Sequence, residues 1–375
     1  METKRNQAPD AAAMSREALQ AVGVMLERIG SRSPHRAGAD GKYDDGPIDW
    51  WTSGFWPGLL WLAYDGTGEQ RFREAAWSWD ERLERRLIEP NGFHHDLGFQ
   101  FLTTAVAKHK LTGDEEARRR ALLAADLLAG RFNLKGSFLR AWNGDRAGWS
   151  IVDSAMNLSL LFWASAESGD PRYAHIAEAH ADMMLRQFLR EDGSAYHIVS
   201  FDPATGRRIE ALGGQGDAPE SAWSRGAAWA LYGMANAFRW TGKRDYLEAS
   251  RRTAAYFVGQ LPDDRVPHWD FRADRSAGEP PRDSSAAAIA ASGLLELAAL
   301  DHGADGGRWR DEAEAMLRSL RGGYAAWRVD GHEALLLHGT GHKPAGQNVD
   351  VSLIYGDYFY VEALAKLGGS TLRLF

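Results

Sequence analysis

Apolar and polar residues recur with the period of an α-helix in about a dozen segments of the chain. Four of these segments end at a Ser/Thr-Gly pair, and glycine just past the last turn is a common helix cap. The predicted helices span residues 15–30, 54–66, 69–87, 97–111, 114–131, 153–167, 171–190, 221–240, 244–260, 284–300, 308–322 and 353–367.

The predicted helices are of two kinds. Segments such as 284–300 are made of small and apolar residues on every side, as expected of a buried helix, whereas segments such as 114–131 are amphipathic. Six buried helices paired with six amphipathic ones predict an all-α fold, an (α/α)6 toroid. In such a ring the loops before the inner helices meet over one end. Alternation on both sides of a Pro/Gly turn at 202–206 also predicts a small β-ribbon insertion over 193–210.

Length and composition bear on the domain organisation. The chain has 375 residues, of which 44% are hydrophobic and 25% charged, an ordinary globular composition. Length alone would favour two or three domains. Since no Pro/Ser-rich linker divides the chain, we expect one domain over 1–375, with a core at about 15–367 and a flexible segment at 1–14.

The charge balance limits the partners. The formal net charge is −7 and no basic stripe is present, which argues against nucleic acid. No apolar run reaches membrane-spanning length, so no membrane partner is expected. No signal core follows Met1, so we expect a cytoplasmic location, or a periplasmic one if a leader was removed. The oligomeric state is left open.

Two aspartates, Asp96 and Asp153, stand where aromatic-rich loops enter apolar helices. Burial among rings raises the pKa of a carboxyl group, so two such groups facing one cavity would form an acid/base pair. Asp is also a favoured N-cap residue, and capping is the alternative for each. The 15 tryptophans stack well on sugars or fill a core; together with two such aspartates they favour a sugar site.

Other loop-to-helix junctions carry polar or aromatic side chains that suit a small polyhydroxylated anion. Arg225 offers a forked contact to a carboxylate, the alternative being a surface pair with Glu220. His197 is equally compatible with a satisfied strand histidine, and Trp142 and Trp223 with core packing. Metal chemistry is not expected, because the only His pair at i, i+4 spacing in the tail, His338 and His342, lies in a Gly-rich loop.

Several motifs together resemble the unsaturated glucuronyl hydrolases of glycoside hydrolase family 88. The resemblance covers about 15–367 and implies an (α/α)6 barrel and no cofactor. The motifs that carry it lie at residues 51–58, 94–99, 152–158, 221–233, 282–286 and 355–358.

The resemblance also implies roles for individual residues. Asp153 matches the general acid/base of the family, and Asp96 matches its second essential carboxylate. In the tail, Lys343 beside His342 could supply a cation for a carboxylate or sulfate. Gly214 stands where the family often has a histidine, which removes a donor near the uronate. The substrate-lining positions implied are Trp51, His95, Trp142, His197, Gln215, Trp223, Arg225 and Trp229.

The substrates implied are oligosaccharides left by polysaccharide lyases, whose non-reducing uronic acid carries a C4=C5 vinyl ether conjugated to its carboxylate. A protonated Asp153 would deliver its proton to C4, water would add at C5, and the hemiketal would open and release the aglycone. We expect burial, and secondly the negative charge of Asp96, to raise the pKa of Asp153.

Other functions stay open at this point. An unsaturated rhamnogalacturonyl hydrolase would share the barrel and the vinyl-ether chemistry on pectin fragments. A saccharide epimerase on the same barrel would rely on paired histidines rather than aspartates. A non-catalytic sugar-binding protein would need the aromatic residues but not the two carboxylates. In each case the expected partner is a small sugar, here an anionic oligosaccharide.

Overall fold

The computed structural model describes residues 11–89, 91–276, 278–303 and 305–375. The four Ser/Thr-Gly turns end helices as predicted, with Gly68, Gly113, Gly169 and Gly242 as the C-caps. The helices in this part of the chain are α1 (Ala11–Ile29), α2 (Phe55–Thr67), α3 (Gln70–Ala76), α4 (Trp79–Leu87), α5 (Leu97–Phe101), α6 (Ala107–Thr112), α7 (Glu115–Ala129), α8 (Ser154–Ser168), α9 (Pro171–Gln187), α10 (Ser224–Thr241), α11 (Arg244–Gly259), α12 (Ser284–Leu300), α13 (Gly306–Gly323) and α14 (Ile354–Leu367), with a π-helical turn at Leu102–Val106 and a 3-10 turn at Ala326–Arg328.

An inner ring is formed by α2, the α5–π–α6 helix, α8, α10, α12 and α14. Each of these contacts the next around the ring, and α14 packs against α2, which closes it. α8, α10, α12 and α14 are buried along most of their length, because most of their residues are small or apolar. The outer helices bury one stripe each, as α13 does with Trp309, Ala313, Met316 and Leu320. The predicted (α/α)6 fold is confirmed.

Three small antiparallel sheets are inserted in this ring. The strands are β1 (Phe132–Asn133), β2 (Phe138–Leu139), β3 (Trp149–Ile151), β4 (Ile198–Phe201), β5 (Arg208–Leu212), β6 (Gly339–His342) and β7 (Gln347–Val351). The predicted ribbon exists as β4–β5, but a third strand, β3, joins it, and the β6–β7 hairpin was not predicted. β3 pairs with β4 through Ile151 and Ile198, and beyond this pair Val152 N–H donates to the His197 carbonyl at 2.9 Å.

Two predicted helices differ in detail. The helix predicted at 69–87 is divided between α3 and α4. The helix predicted at 97–111 contains the π-helical turn. There the Thr103 hydroxyl donates to the Phe99 carbonyl and the Thr104 hydroxyl to the Gln100 carbonyl, each at 2.6 Å. Side-chain hydroxyls that take up backbone carbonyls in this way ease the departure from α-helical pairing.

The expected limits of the core are too narrow at both ends. Of the segment expected to be flexible, residues 1–10 lie outside the described residues, but α1 begins at Ala11 and Met14 is fully buried. At the other end, Phe375 is buried between inner helices, with its ring centroid 5.7 Å from that of Phe99 and 5.5 Å from that of Phe359. No helix in the described ranges is long and apolar enough to cross a membrane.

The position of Phe375 generates a stability prediction. Phe375→Ala removes a ring that is 1% exposed, so the free energy of unfolding should fall by about 3–5 kcal/mol, measured by urea denaturation. Leu134→Ala is the control, because Leu134 is 82% exposed and its loss should cost almost nothing. Equal stabilities for the two variants would contradict the packing described for the tail.

Candidate active site

The loops before the inner helices surround one cavity of about 700 Å³, within the range of small-molecule sites. The cavity brings together eight of the eleven side chains that the sequence singles out, from segments far apart in the chain. The eight are Trp51, His95, Asp96, Trp142, Asp153, His197, Gln215 and Arg225.

The other three predicted side chains do not line this cavity. Trp229 is fully buried, with its ring 5.0 Å from that of Phe99. Trp223 is also buried, 4.2 Å from the His197 ring and 4.5 Å from the guanidinium carbon of Arg225. Both tryptophans therefore support lining residues from behind. Lys343 is exposed in the turn between β6 and β7, outside the lining.

Asp96 and Asp153 occupy N-cap positions but do not cap. Asp96 precedes α5 and Asp153 precedes α8, yet neither side chain accepts a hydrogen bond from the first turn of its helix. The N-cap carboxylates of Asp114, Asp170 and Asp283, by contrast, all do so. The capping alternative is thus absent at the two candidate positions, and both carboxylates face the cavity.

Asn157, one turn into α8, connects the two aspartates. Its amide nitrogen lies 3.3 Å from Asp96 Oδ1 and 3.3 Å from the Asp153 carbonyl, and its amide oxygen accepts from Phe99 N–H at 2.8 Å. α5 approaches this side chain closely, because a Cβ at Gly98 would lie 2.4 Å from Asn157 Oδ1. Because residue 98 is glycine, α5 comes close enough to α8 for the Asn157 amide to bond to residues at the start of both helices.

Burial raises the pKa of Asp153 to about 7, and the positive charge of Arg225 opposes that rise. The Oδ1 atom of Asp153 is buried and has no hydrogen-bond partner among the described residues. A negatively charged carboxylate is unfavourable in that position because no donor compensates its charge, whereas the neutral, protonated carboxyl group carries no such penalty. The geometry thus favours the acid form of Asp153 near neutral pH.

Asp96 is also buried, but it receives a hydrogen bond from the Asn157 amide. Burial and, secondly, repulsion by Asp153 raise the pKa of Asp96, while the hydrogen bond from Asn157 lowers it. His94 Nδ1 lies 3.2 Å and His95 Nδ1 3.4 Å from its oxygens. The expected repulsion between the two carboxylates is present, and because it is mutual the pair keeps one proton to a higher pH than an isolated carboxyl group would.

Gly214 lets His197 and Gln215 share a tight loop. Gly214 has a φ of +57°, and a Cβ there would lie 2.3 Å from His197 Nδ1. That Nδ1 atom is 2.9 Å from the backbone nitrogen of Gln215, while Nε2 is buried without a partner in the described part of the chain. His197 thus fills the space next to residue 214 and keeps one ring nitrogen for a ligand.

Arg225 is held by the protein itself rather than left open as a fork. Its Nη1 donates to Asp283 at 2.7 Å and to the Thr340 carbonyl at 2.5 Å. Its Nη2 donates to Gln215 Oε1 at 2.6 Å and to the Gly341 carbonyl at 2.8 Å. The alternative, a surface pair with Glu220, is not what the structure shows, because Glu220 is an exposed residue that lies 3.9 Å from Arg190.

Sequence reasoning missed several lining residues. His35 bridges Thr52 and Asn348, with ring nitrogens 3.2 and 3.1 Å from their side chains. Tyr355 stands between Trp51, at 4.9 Å, and Arg225, at 5.2 Å. Tyr355 could have been found from its place at the start of an inner helix, as for the aspartates. Nothing in the pattern around His35 indicates that it reaches the cavity.

One group of side chains has the composition of a metal site. Ligand atoms of His94, His95 and Asp96 all lie within 4.8 Å of one another. Burial lowers the pKa of His94 to about 4 and that of His95 well below its usual value, so both rings are neutral at pH 7. Asp96 also accepts a hydrogen bond from the Asn157 amide, which connects Asp96 to Asp153.

Comparison with known proteins agrees with this architecture. The sequence matches Glycosyl Hydrolase Family 88 over residues 24–363. It is 40% identical to an unsaturated glucuronyl hydrolase of Bacillus sp. (strain GL1) over 94% of this chain and 95% of that protein. An unsaturated chondroitin disaccharide hydrolase of Streptococcus pyogenes serotype M1 is 36% identical, over 93% and 89%. The crystal structure of an unsaturated glucuronyl hydrolase from Bacillus sp. GL1 superposes with a TM-score of 0.92, covering 96% and 97% at 37% identity.

The contacts of Arg225 generate a prediction for Arg225→Lys. Lysine keeps the charge beside Asp283 but cannot serve four acceptors, so buried carbonyls lose their donors. The free energy of unfolding should fall by about 2–4 kcal/mol, measured by urea denaturation. Arg207→Lys at an exposed turn is the matched control. A stability equal to that of the parent would show that the four hydrogen bonds contribute little.

Proposed function

The chain belongs to glycosyl hydrolase family 88, and we propose that it removes a 4,5-unsaturated uronic acid from the non-reducing end of oligosaccharides. One observation carries the assignment of the residues: two buried aspartates begin inner helices at one cavity and leave their caps unfilled. The names of the relatives and the lining of aromatic rings support a sugar substrate of this class.

Asp153 supplies the proton in this proposal. Its protonated carboxyl group delivers H⁺ to C4 of the vinyl ether, and positive charge develops at C5 and on the ring oxygen. Water then gives a proton back to Asp153 as its oxygen adds to C5. The C5 hemiketal opens to a ketone, which leaves a hemiacetal at C1, and its collapse releases the aglycone with its glycosidic oxygen. Overall, the proposed reaction consumes one water molecule.

Asp96 stays ionised in this proposal and acts beside the proton donor. Of the two carboxyl groups, Asp96 receives a hydrogen bond from the Asn157 amide, which lowers its pKa, whereas Asp153 Oδ1 receives none from the described residues. A fixed negative charge beside the reacting sugar favours the positive charge that forms at C5. Its oxygens can also accept from ring hydroxyls and so place C4 in line with Asp153.

In this proposal the uronate carboxylate interacts with the positive charge of Arg225 and not with a pair of its terminal N–H groups. All four terminal N–H groups of Arg225 already have acceptors, which leaves its net positive charge and the Nε–H. Because the Gln215 oxygen accepts from Arg225, the Gln215 amide donors are turned to other acceptors. We assign the carboxylate to the Gln215 amide, with Arg225 as the charge behind it.

The epimerase alternative is disfavoured by the state of the histidines. Paired His acid/base catalysis needs pKa values near the working pH. Burial instead lowers the pKa of His94 to about 4 and that of His197 to about 3. These rings suit hydrogen bonding to hydroxyls, whereas the carboxyl group with a pKa of about 7 is Asp153.

Asp153→Asn tests the assignment of the proton donor. The amide keeps the shape of the side chain but cannot cycle the proton, so kcat should fall by a factor of about 10²–10⁴ while substrate still binds. The measurement is the loss of the ultraviolet absorbance of the conjugated double bond in an unsaturated disaccharide. Asp283→Asn is not a suitable control because Asp283 holds Arg225, so the matched control is Asp114→Asn, at an N-cap away from the cavity. Near-parental turnover by Asp153→Asn would overturn the assignment.

The pH dependence provides a second test. The acid form of Asp153 is the active one, and it is present below a pKa of about 7 and lost above it. The value of kcat/KM should therefore fall about tenfold per pH unit above about pH 7, with the fold checked by circular dichroism at each pH. A profile that stays flat to about pH 9 would exclude a carboxylic acid of this pKa as the proton donor.

A further inference from the structure

We propose that Arg146, with Trp142 and Trp149, forms a second binding position that holds an oxyanion on the aglycone sugar. The inference rests on the proposed function, since it places a sulfate or carboxylate group next to the unsaturated uronic acid. Arg146 was not among the predicted site residues. It lines the same cavity and is exposed at its rim, on the loop of residues 141–149.

This rim loop is tied to the catalytic pair by backbone hydrogen bonds. His95 N–H donates to the Ala141 carbonyl at 3.2 Å, and Ala141 N–H donates to the Trp149 carbonyl at 2.8 Å. Trp149 N–H in turn donates to the Arg146 carbonyl at 3.2 Å. The backbone that carries Arg146 is therefore fixed relative to His95, the residue next to Asp96.

The side chains form a matching series of contacts outward from the carboxylates. His95 Nδ1 is 3.4 Å from Asp96, and the His95 ring lies 6.0 Å from that of Trp142. The Arg146 guanidinium carbon is 5.7 Å from the Trp142 ring and 4.8 Å from the Trp149 ring. The Trp142 indole thus lies between His95, which is next to Asp96, and the Arg146 cation. An aglycone stacked on Trp142 would bring its substituents to Arg146.

The positive charge of Arg146 is not neutralised by the protein. Among the described residues no carboxylate lies within 4 Å of its guanidinium, not even that of the adjacent Asp145. Asp49, the acidic residue on the rim near Gly92, already accepts the Gly92 N–H at 2.7 Å and lies 3.6 Å from Arg86. Two indole rings hold the Arg146 head by cation–π contact and leave its N–H groups for a ligand.

An arginine on an aromatic platform at the mouth of a sugar cavity suits an oxyanion. Guanidinium N–H groups match both carboxylate and sulfate oxygens, and the flanking rings exclude part of the water that would screen the contact. The chain as a whole carries a net charge of −7, so an anionic substrate needs local cations of this kind. Arg225 provides one for the uronate, and Arg146 provides one for the next sugar.

Three unsaturated disaccharides test the proposal, with an aglycone that is a neutral N-acetylhexosamine, its monosulfated form, or a uronic acid. In Arg146→Gln, kcat/KM for the anionic substrates should fall about five- to twentyfold through KM, with the neutral one changed less than about twofold. Arg146→Lys should recover part of the preference. Loss with the sulfated substrate alone would identify sulfate as the ligand, and loss with the uronate alone would identify carboxylate.

Arg207→Gln is the matched control, because it removes one exposed positive charge in the turn between β4 and β5, outside the cavity lining. Equal losses on all three substrates, or none on any, in Arg146→Gln would overturn the oxyanion position. If the parent protein hydrolyses none of the three, the proposed function itself fails. Turnover of all three with an unchanged preference in Arg146→Gln rejects this inference alone.

Discussion

The site depends on one constraint, which is that two carboxylates are buried at helix starts without serving as caps. A buried carboxyl group without donors is expensive to ionise, and Asp283, which is also buried, avoids that cost by capping α12 and pairing with Arg225. Asp153 does not, and its pKa rises to about 7. The surrounding features follow from keeping this arrangement in place: Gly98 lets α5 approach α8, and Asn157 spans the gap.

The two carboxylates differ in how their charge is balanced, and this difference underlies the separate roles that we propose for them. Asp96 receives a hydrogen bond from Asn157, whereas Asp153 Oδ1 receives none within the described ranges. Arg225 moderates the difference, since its charge lowers the pKa of Asp153 against the effect of burial. The buried charge of Arg225 is compensated by Asp283 and three other hydrogen-bond acceptors around it. The pKa of Asp153 therefore depends on the charge of Arg225, which the ion pair with Asp283 holds in place.

Much of the fold could be predicted from the sequence because the relevant information is local. Helix periodicity and the turn glycines indicate where helices end, and small residues indicate which of them lie inside. The partners of Arg225 could not be predicted, since Asp283 and Gly341 come from distant segments brought together only by ring closure. For the same reason the pattern could not distinguish Trp142, which lines the cavity, from Trp229, which is buried behind it.

The proposed catalytic residues and the proposed aglycone contacts lie on different kinds of structural element. Asp96 and Asp153 stand on the first residues of inner helices, whose positions are fixed by packing around the closed ring. Arg146 stands on a surface loop, and His342 on a hairpin, both outside the ring. Chemistry requires sub-ångström placement, which helices in a packed core provide, whereas contacts to a variable aglycone tolerate a loop. A barrel of this construction can therefore exchange its rim, and with it the preferred aglycone, while the protonation site keeps its geometry.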